Sequence, residues 1–594
     1  MPTYSAPLRD MRFVLFDLLR ADEELRALPR YADLDRDTID AVLDEAAKFA
    51  RDVVFPLNRI GDVEGCTYAG DGVVTAPTGF AQAYRQWVDA GWPSLGCDPD
   101  VGGQGLPVLV NNRLYEMMNS ANQAWLMYSG LSHSAYECLV AYGTPEQKQT
   151  YLTKIVSGEW TGTMCLTEAH CGTDLGLLRT RAEPNADGSY ALTGTKIFIS
   201  AGEHDLAENI VHMVLARLPD APPGTKGISL FLVPKFLPDA DGKPGARNGI
   251  RAGSIEHKMG IHGNATCVMN LDGATGWLIG APNKGLAAMF VMMNSARLGV
   301  GMQSLGLAEA ALQNATAYAK DRVQGRAAAG PQSPHRPADP IVVHPDVRRM
   351  LLTARAYTEG GRALTTWTAL LLDREHAHPD AAVREDAAEL LALLTPVVKA
   401  FLTDNAFETI NLCLQVFGGH GYIAEWGMEQ YARDCRINMI YEGTNGVQAM
   451  DLLGRKVLFD GGAKLARLSA LIRADLDANA AHAELGGYVA ALAELLRDIA
   501  ALTQELGARA ATDPDEIGAA ATSYLRLVGH LVFGWLWLRM ARLALDAGEG
   551  DAFHVQKLAT ARFYFSRLLP ETATHLQLAR AGARTLAMPD AFVI

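Results

Sequence analysis

The chain has 594 residues, which leaves room for about four domains at roughly 150 residues each. Hydrophobic residues make up 49% of it and charged residues 20%, a composition that excludes an intrinsically disordered protein. The 56 glycines and 27 prolines are ordinary numbers, so collagen-like and low-complexity proteins are excluded as well. The formal net charge of −14 argues against extensive nucleic-acid binding, although it allows a local basic pocket for a phosphorylated substrate.

The eight cysteines are sparse and form no Cys-x-x-Cys pair. This pattern predicts neither a disulfide framework nor a zinc site, so we expect reduced, mostly buried thiols and no metal. The N-terminal stretch has no secretory pattern, since Arg12, Asp17 and Arg20 interrupt its apolar run. It is predicted to form an amphipathic helix, and the protein is expected to be cytoplasmic.

The first part of the chain has the apolar spacing of helices. Residues 1–34 are predicted to form a helical extension, and 35–160 an N-terminal helical domain. Apolar residues recur on one stripe over 39–53, until Pro56 ends that helix. A Gly-rich break covers 95–107 before the helical spacing resumes.

The pattern changes to short β-rich runs over 161–283, where Asp-Gly, Pro-Gly and Asn-Gly turns separate alternating apolar residues. We expect a compact antiparallel β domain there. Helical spacing returns over 284–460 with lengths that suit a bundle. The Pro-rich loop 327–345 within it is expected to be exposed.

Beyond a pair of glycines, residues 461–594 are again helical in pattern and are predicted to form an additional domain. The most apolar stretch of this segment, 527–538, is too short to span a bilayer and lies between Arg526 and Arg539. A buried or interface helix is the favoured interpretation. Weak contact with a membrane surface is the alternative.

Four dispersed segments resemble the signatures of the acyl-CoA dehydrogenases in order and spacing: GGQGL at 102–106, CLTEAHCGTDLG at 165–176, QVFGGHGYIAEWGMEQYARD at 415–434 and YEGTNGVQ at 441–448. The resemblance implies a mainly α fold with an inserted antiparallel β domain. Its parts would be a helical domain, a β-barrel-like domain and a four-helix bundle, followed here by the additional helical domain. That extra domain resembles the branch of the family that contains 3-methylmercaptopropionyl-CoA dehydrogenases and long-chain homologues.

The first signature offers backbone N–H groups and hydroxyls that can hydrogen-bond a flat heteroaromatic ring, although an ordinary β-turn with a capping Thr is the alternative. The resemblance implies FAD contacts from Met164, Leu166, Thr167, Gly172, Thr173, Phe198 and Ser200. Without the resemblance, Phe198 is equally well explained as a core aromatic residue.

Glycines in the second signature let the backbone approach a ligand closely, and the segment lacks the strand–GxGxxG–helix context of a Rossmann site. The resemblance implies that FAD bound mainly by the partner subunit is contacted by Arg322, Gln415, Gly418 and Gly419. Further FAD contacts are implied for Thr444 and Gln448. A solvated residue at a helix end is the alternative interpretation of Arg322.

Glu442 is the predicted catalytic base. Removing hydrogens from Cα and Cβ of a thioester needs a base at Cα, a hydride acceptor at Cβ and donors at the enolate oxygen. A lone Glu in a Gly-flanked loop is usually a solvated charge, but the YEGTN context implies the base. A minority of the family places the base on an earlier helix, where this chain has Ala296, which cannot accept a proton.

The resemblance implies substrate contacts from Thr173, Asn294, Arg297 and Gly443, with a helix-packing ion pair as the alternative for Arg297. The implied reaction is FAD-dependent oxidation of an acyl-CoA to the trans-2-enoyl-CoA in fatty acid metabolism, with electrons passing to an electron-transferring flavoprotein. The alternatives are an acyl-CoA oxidase that uses O₂ and a non-catalytic scaffold on the same fold. The additional domain is expected to cover the surface through which dimers of this family form tetramers, so we expect a homodimer.

Overall fold

A computed structural model describes residues 2–548 and 550–588. Outside the described part lie Met1, Glu549 and 589–594. The first of these belongs to the predicted N-terminal extension and the others to the predicted additional domain, whose boundaries stay predictions.

The described chain divides into two compact units. The unit that we call the β unit comprises residues 48–111 and 117–299. The unit that we call the helical unit comprises residues 1–47, 112–116 and 300–594.

Helices occupy most of the chain outside the β domain. Those before that domain are α1 Leu8–Arg12, α2 Ala21–Arg26, α3 Arg36–Phe49, α4 Leu57–Glu64, α5 Phe80–Asp89, α6 Val108–Tyr142, α7 Pro145–Gln147 and α8 Thr153–Ser157. Those of the predicted bundle are α9 Gly285–Asp321, α10 Pro345–Ala377, α11 Ala381–Val416, α12 Met428–Arg436 and α13 Asn445–Met450. Those of the additional domain are α14 Ala463–Asn479, α15 Gly486–Ala510, α16 Asp515–Ala547, α17 Ala552–Phe563 and α18 Glu571–Arg580.

The strands all belong to the β unit. In chain order they are β1 Thr67–Tyr68, β2 Val74–Thr75, β3 Trp160–Cys165, β4 Arg181–Pro184, β5 Tyr190–Ser200, β6 Asn209–Arg217, β7 Ile228–Pro234, β8 Phe236–Pro238, β9 Pro244–Arg247, β10 Ile250–Ile255 and β11 Thr266–Ile279. The short β1–β2 hairpin lies inside the segment predicted to be helical. Its two-residue strands are too short to show an alternating pattern, although the Gly-Asp-Gly at 70–72 is a turn signal.

The main sheet closes on itself. Strands β11, β5, β4, β6 and β7 pair in that order, and β7 pairs back to β11, while β10 and β3 add to the outside of β11 and β6. This ring fits the predicted β-barrel-like domain. The pairing is mixed rather than wholly antiparallel, because β3 and β4 both run parallel to β6. Strand β3 is buried at every position and β6 at all but its last, which is typical of parallel strands covered on both faces.

The additional domain folds onto the bundle of its own chain, as expected from the sequence. The rings of Phe533 on α16 and Phe401 on α11 lie 4.9 Å apart, and those of Trp535 and Trp367 lie 4.8 Å apart. Helix α16 approaches α11 so closely that a Cβ on Gly529 would lie 2.3 Å from the Phe401 ring. A glycine at this position therefore permits the helix contact.

The apolar stretch 527–538 is buried within the helical unit, so the favoured interpretation of a buried helix is confirmed and this stretch offers no membrane contact. By length and composition alone, α9 and α11 could cross a membrane. The apolar window of α11 is 83% buried, as in the core helix of a soluble protein. All eight cysteines are free thiols, and seven of them are buried, as predicted.

A buried ion cluster joins distant segments of the helical unit. The guanidinium of Arg362 on α10 pairs with Asp10, with Glu116 at 2.8 Å and with Glu309 at 2.5 Å. Lys557 on α17 pairs with the same Asp10. The N-terminal extension, the bundle and the additional domain thus share one charged centre.

The cluster is nearly balanced in charge. Lys557 also pairs with Glu359 at 2.7 Å, and Arg113 pairs with Glu116 and donates to Thr365 at 3.0 Å. Four carboxylates therefore face these three cations, and Arg355 adds a longer contact to Glu359 at 3.5 Å. Burial would lower the pKa of the Arg362 guanidinium, but the three surrounding carboxylates raise it well above its ordinary value. Arg362 is consequently the fixed positive charge around which the acids are held.

We expect Arg362→Met to destabilise the helical unit by about 3–5 kcal/mol, because it leaves several buried carboxylates without their partner. The measurement is urea denaturation followed by far-UV circular dichroism. Arg467→Met is the control, since Arg467 pairs with Asp386 on the surface and its loss should cost at most about 1 kcal/mol. Equal effects of the two substitutions would show that the buried cluster does not hold the segments together.

Candidate active site

The first signature begins at Cys165, the last residue of strand β3. The chain then passes beside β5, next to the β-bulge of that strand. Thr167 is half-buried, and its carbonyl accepts a 2.9 Å hydrogen bond from Ile197 N. Met164 is buried beside Leu166 in the apolar cluster of the β unit. Three of the predicted FAD contacts are therefore fixed by strand pairing and packing.

The signature then makes a turn in which Glu168 and Cys171 are buried, while the residues around them are exposed. Glu168 and Cys171 exchange backbone hydrogen bonds of 2.9 and 3.0 Å, and Gly172 and Thr173 follow on the surface. A Cβ on Gly172 would have only Thr167 Cγ2, at 3.6 Å, as a described neighbour. The tight turn thus presents a bare backbone on its outer side.

Phe198 lies in a β-bulge. Met269 on β11 pairs with Lys196 and Cys267 pairs with Ile199, so two residues of β5 oppose one of β11. Phe198 adopts a left-handed backbone (φ 60°), and 59% of its surface is exposed. A large apolar ring held outward by a strained backbone indicates a surface that a flat ligand covers. The core interpretation of Phe198 is therefore wrong; Ser200, at the end of the strand, is half-buried.

A buried ion pair supports this first signature, and the sequence analysis missed it. Lys196 is fully buried, and its Nζ donates 2.9 Å hydrogen bonds to Glu168 Oε1 and to the carbonyl of Leu166. Burial raises the pKa of Glu168, but the charge of Lys196 and the hydrogen bonds from Thr180 and Arg179 lower it to about 2. The available signal was a lysine at an inward position of an alternating strand.

Glu168, His170 and Cys171 also bring three potential ligand atoms within 4.8 Å of one another. Glu168 is already occupied by Lys196 and by Thr180, whose Oγ1 donates at 2.6 Å. His170 Nε2 lies 3.0 Å from the carbonyl of Leu177. We therefore assign no metal to this group.

The second signature belongs to the helical unit. Gln415 is exposed near the end of α11, and Gly418 and Gly419 follow, Gly418 with a left-handed φ of 58° that favours glycine. A Cβ on either glycine would meet no described heavy atom within 4 Å. His420 and Trp426 stack behind this turn at 4.3 Å. Packing inside the chain therefore does not explain Gly419, whereas close approach of a ligand or partner would.

Arg322 follows the C-terminal end of α9, and its side chain is exposed. The neighbouring Tyr318 donates to or accepts from His420 Nδ1 at 2.9 Å, so the segment before Arg322 is tied to the second signature. Arg322 and the glycines of the second signature, which are both predicted to contact FAD, thus belong to hydrogen-bonded segments of the helical unit.

Glu442 lies on a loop with a left-handed backbone, φ 58°, and is half-buried. The preceding Tyr441 donates to Gln303 on α9 and to Asn438 at 3.1 Å. Asn438 in turn donates to Ser304 Oγ at 2.9 Å. Helix α9 thereby fixes the chain immediately before the predicted base.

The chain after the base is fixed by α11. Asn445 accepts from the buried Lys399 at 2.7 Å and donates to Asp404 at 2.6 Å and Thr403 at 2.9 Å. Gln448 Nε2 donates to the carbonyl of Gly443 at 3.1 Å, whereas its Oε1 is buried without a described hydrogen-bond partner. The exposed Thr444 precedes α13, and its Oγ1 donates to the carbonyl of Met439 at 3.3 Å rather than to the helix.

The predicted substrate contacts are divided between the units. Arg297 is buried and donates to Asn294 Oδ1 at 3.3 Å, one turn earlier on α9. Ala296 packs against the apolar cluster of the β unit that includes Met164. Thr173 belongs to the same unit, while Gly443 is a neighbour of Glu442 in the helical unit.

These features fit a flavin nucleotide. A flat ring system would cover the exposed Phe198, a diphosphate would approach the bare backbone at Gly418 and Gly419 near Arg322, and a donor would satisfy Gln448 Oε1. Each observation concerns one unit by itself.

Models of a single protein family match the chain from near its start to near its end. The models described as the N-terminal, middle and C-terminal domains of acyl-CoA dehydrogenase match residues 36–159, 163–274 and 283–458. A model described as acetyl-CoA dehydrogenase C-terminal like matches residues 468–589.

Full-length relatives support the same assignment. The chain is 43% identical over 588 residues to a 3-methylmercaptopropionyl-CoA dehydrogenase of Ruegeria pomeroyi, covering 98% of each chain. It is 38% identical over 590 residues to the broad-specificity linear acyl-CoA dehydrogenase FadE5 of Mycobacterium tuberculosis, covering 96% of each. The fold matches an acyl-CoA dehydrogenase of Bacillus anthracis complexed with FAD, with a TM-score of 0.74, 20% identity and coverage of 95% of this chain and 91% of that chain. The chain is therefore an enzyme of the FAD-dependent acyl-CoA dehydrogenase family, in a form that carries an additional C-terminal domain.

Proposed function

We propose that this enzyme oxidises an acyl-CoA thioester to the trans-2-enoyl-CoA, with Glu442 as the base that removes the proton from Cα. The bound FAD would supply the acceptor, at its N5, for the hydride that leaves Cβ. The observation that carries the proposal is the Glu442 loop, which holds a carboxylate in a strained backbone between two hydrogen-bonded anchors.

The placement of Glu442 suits proton abstraction. Tyr441 and Asn445 fix the loop on either side, so the carboxylate does not have to be ordered when the substrate binds. The apolar acyl chain of a bound substrate would displace water from the half-buried side chain of Glu442. Loss of water raises the pKa of a carboxylate toward the working pH. The backbone N–H of Glu442 would donate to the thioester carbonyl and stabilise the enolate oxygen.

The alternative position for the base supports the same assignment. On α9 the corresponding residue is Ala296, whose methyl group has no proton-accepting atom. The neighbouring Arg297 is buried and bonded to Asn294, so it would hold that part of the substrate site in place. Thr173 and Gly443 would provide the remaining contacts to the acyl-CoA.

The surfaces around the glycines suggest how FAD would be shared. Arg322, Gln415, Gly418 and Gly419 would contact FAD held mainly by the partner subunit, whereas Met164, Thr167 and Phe198 would contact the flavin of their own chain. Thr444 and Gln448 would complete the site. FAD would then stabilise a homodimer, because it binds the assembled state preferentially.

The substrate is proposed at the level of the acyl-CoA class. The two relatives are named for a methylthio-substituted short acyl group and for a broad range of linear acyl groups, so their names do not agree on one acyl chain. Electrons would pass to an electron-transferring flavoprotein, consistent with relatives named as dehydrogenases. Cytoplasmic location and a role in fatty acid metabolism belong to the same proposal, supported by the eight free cysteines.

Glu442→Gln should slow flavin reduction by acyl-CoA at least about 10²-fold, because the amide keeps the shape and removes the base. The measurement is anaerobic stopped-flow bleaching of the flavin absorbance, with FAD content as a check on folding. Glu385→Gln is the control, since Glu385 is an exposed residue of α11 in the same unit and should leave the rate unchanged. A near-wild-type rate for Glu442→Gln would place the base elsewhere.

The wild-type protein should purify with one non-covalent FAD per chain and should be bleached anaerobically by at least one member of an acyl-CoA series. The series should run from short to long chains and include 3-methylthiopropionyl-CoA, to define the pocket. In air, we expect fast turnover only with an electron-transferring flavoprotein or an artificial acceptor. Peroxide formation in step with enoyl-CoA would identify an oxidase instead, and a protein that never binds FAD would end the proposal.

Light scattering of the intact protein should give a mass of about twice 64.0 kDa. The reason is that the additional domain covers the bundle, with 527–538 buried against α10 and α11. Deleting 463–594 would uncover the aromatic residues Trp367 and Phe401, so the truncated protein should form tetramers or aggregates. A tetramer of the intact protein, or a well-behaved truncated dimer, would contradict this covering role.

A further inference from the structure

We propose that Lys196 and Glu168 are positioning residues that set the orientation and the reduction potential of the flavin. The proposal rests on the proposed function, because it concerns the same flavin site. Neither side chain belongs to the set assigned to the cofactor from the sequence. Both are buried in the β unit immediately behind residues of that set.

The first step of the argument concerns one peptide group. Lys196 Nζ donates to the carbonyl oxygen of Leu166 at 2.9 Å. All peptide bonds of the described chain are trans, and in a trans peptide the C=O and the following N–H point in opposite directions. The N–H of Thr167 therefore points away from Lys196, and Thr167 is one of the residues that the resemblance assigns to the flavin.

The second step concerns the next peptide group. Ile197 N donates to the carbonyl of Thr167 at 2.9 Å, and Glu168 N donates to Cys171 O on the opposite side. Two consecutive peptides are thus held from β5, one by a side chain and one by the backbone. The hydrogen bond from Lys196 to the Leu166 carbonyl is the one that a side-chain substitution can remove, because the other is made by the backbone of Ile197.

The third step concerns Glu168, which orients the lysine. Its Oε1 accepts from Lys196 Nζ and from Thr180 Oγ1, and its Oε2 accepts from Arg179 N at 2.8 Å. The carboxylate has therefore little freedom to move. It holds the ammonium group at the Leu166 carbonyl rather than allowing it to reach solvent.

The fourth step concerns the strand. Lys196 is the last regularly paired residue of β5 before the bulge that turns Phe198 outward. The three consecutive residues 196–198 thus fix the signature turn and present the exposed aromatic ring. A buried cation at this point would favour the extra negative charge of reduced flavin, since charges interact strongly where water is excluded.

Lys196→Met tests the proposal in the full-length holoenzyme. It should weaken FAD binding by about tenfold or more. It should also lower the equilibrium constant for two-electron reduction about tenfold, which corresponds to a potential about 30 mV lower. Both quantities are measured without acyl-CoA, by equilibrium dialysis with FAD and by titration against reference dyes. The readouts therefore do not depend on the enzyme having the proposed substrate.

Lys235→Met is the matched control. Lys235 lies in the same unit and pairs with the buried Glu203, but its contacts are to Glu203 and to the carbonyl of His204. It should lower the thermal unfolding temperature and leave the flavin potential unchanged. An unchanged potential and flavin spectrum in Lys196→Met would overturn the proposal, as would an equal shift in Lys235→Met.

Glu168→Gln keeps the test decisive if Lys196→Met does not fold. It removes the negative charge and retains an oxygen that accepts from the lysine, so the potential should rise. An unchanged or lower potential would overturn the proposal. If the variants show the predicted shifts but no acyl-CoA reduces the wild-type flavin, the proposed function fails and the positioning role stands. A wild-type protein that binds no FAD overturns both.

Discussion

The helical unit is organised around the buried guanidinium of Arg362. Arg362 holds carboxylates from α1, α6 and α9, and through Asp10 it is linked to Lys557 of the additional domain. Removing these charges from water is costly, and the cost is recovered only when all partners are in place. The cluster therefore selects one arrangement of segments that are hundreds of residues apart, while aromatic packing between α16 and α11 supplies the apolar area.

Buried cations with fixed hydrogen-bond acceptors also occur beside the candidate site. Lys196 and Lys399 are both fully buried, and each donates to a group next to a predicted functional residue: the Leu166 carbonyl before Thr167 and the Asn445 side chain after Glu442. A buried ammonium group needs fixed acceptors, so it stiffens whatever carries them. This stiffness explains how Phe198 and Glu442 persist in left-handed backbone conformations that are unfavourable for residues with a Cβ.

Much of this organisation could be predicted from the sequence. The change from helical to alternating spacing located the β domain, and the dispersed signatures indicated the family and its need for FAD. The roles that the signatures assign to Thr167 and Glu442 stay predictions. Two kinds of feature could not be predicted. A continuous apolar run does not reveal whether its strand pairs in parallel, so the pairing of β3 with β6 could not be predicted. The bulge at Phe198 depends on the register with β11, which is distant in sequence. The burial of Lys196, by contrast, had a signal in its inward position on an alternating strand.

Gly418 and Gly419 are adjacent glycines, but the structure gives a backbone reason for glycine only at the first. Gly418 has a left-handed backbone, so the chain itself requires glycine there. Gly419 does not, and a Cβ at that position would touch no described atom of its own chain. Gly529, by contrast, is explained entirely by Phe401 of the same chain. Folding of the described chain therefore does not account for a glycine at 419, whereas close approach of a cofactor or of a second subunit would. A flavin shared across a dimer would supply both at once.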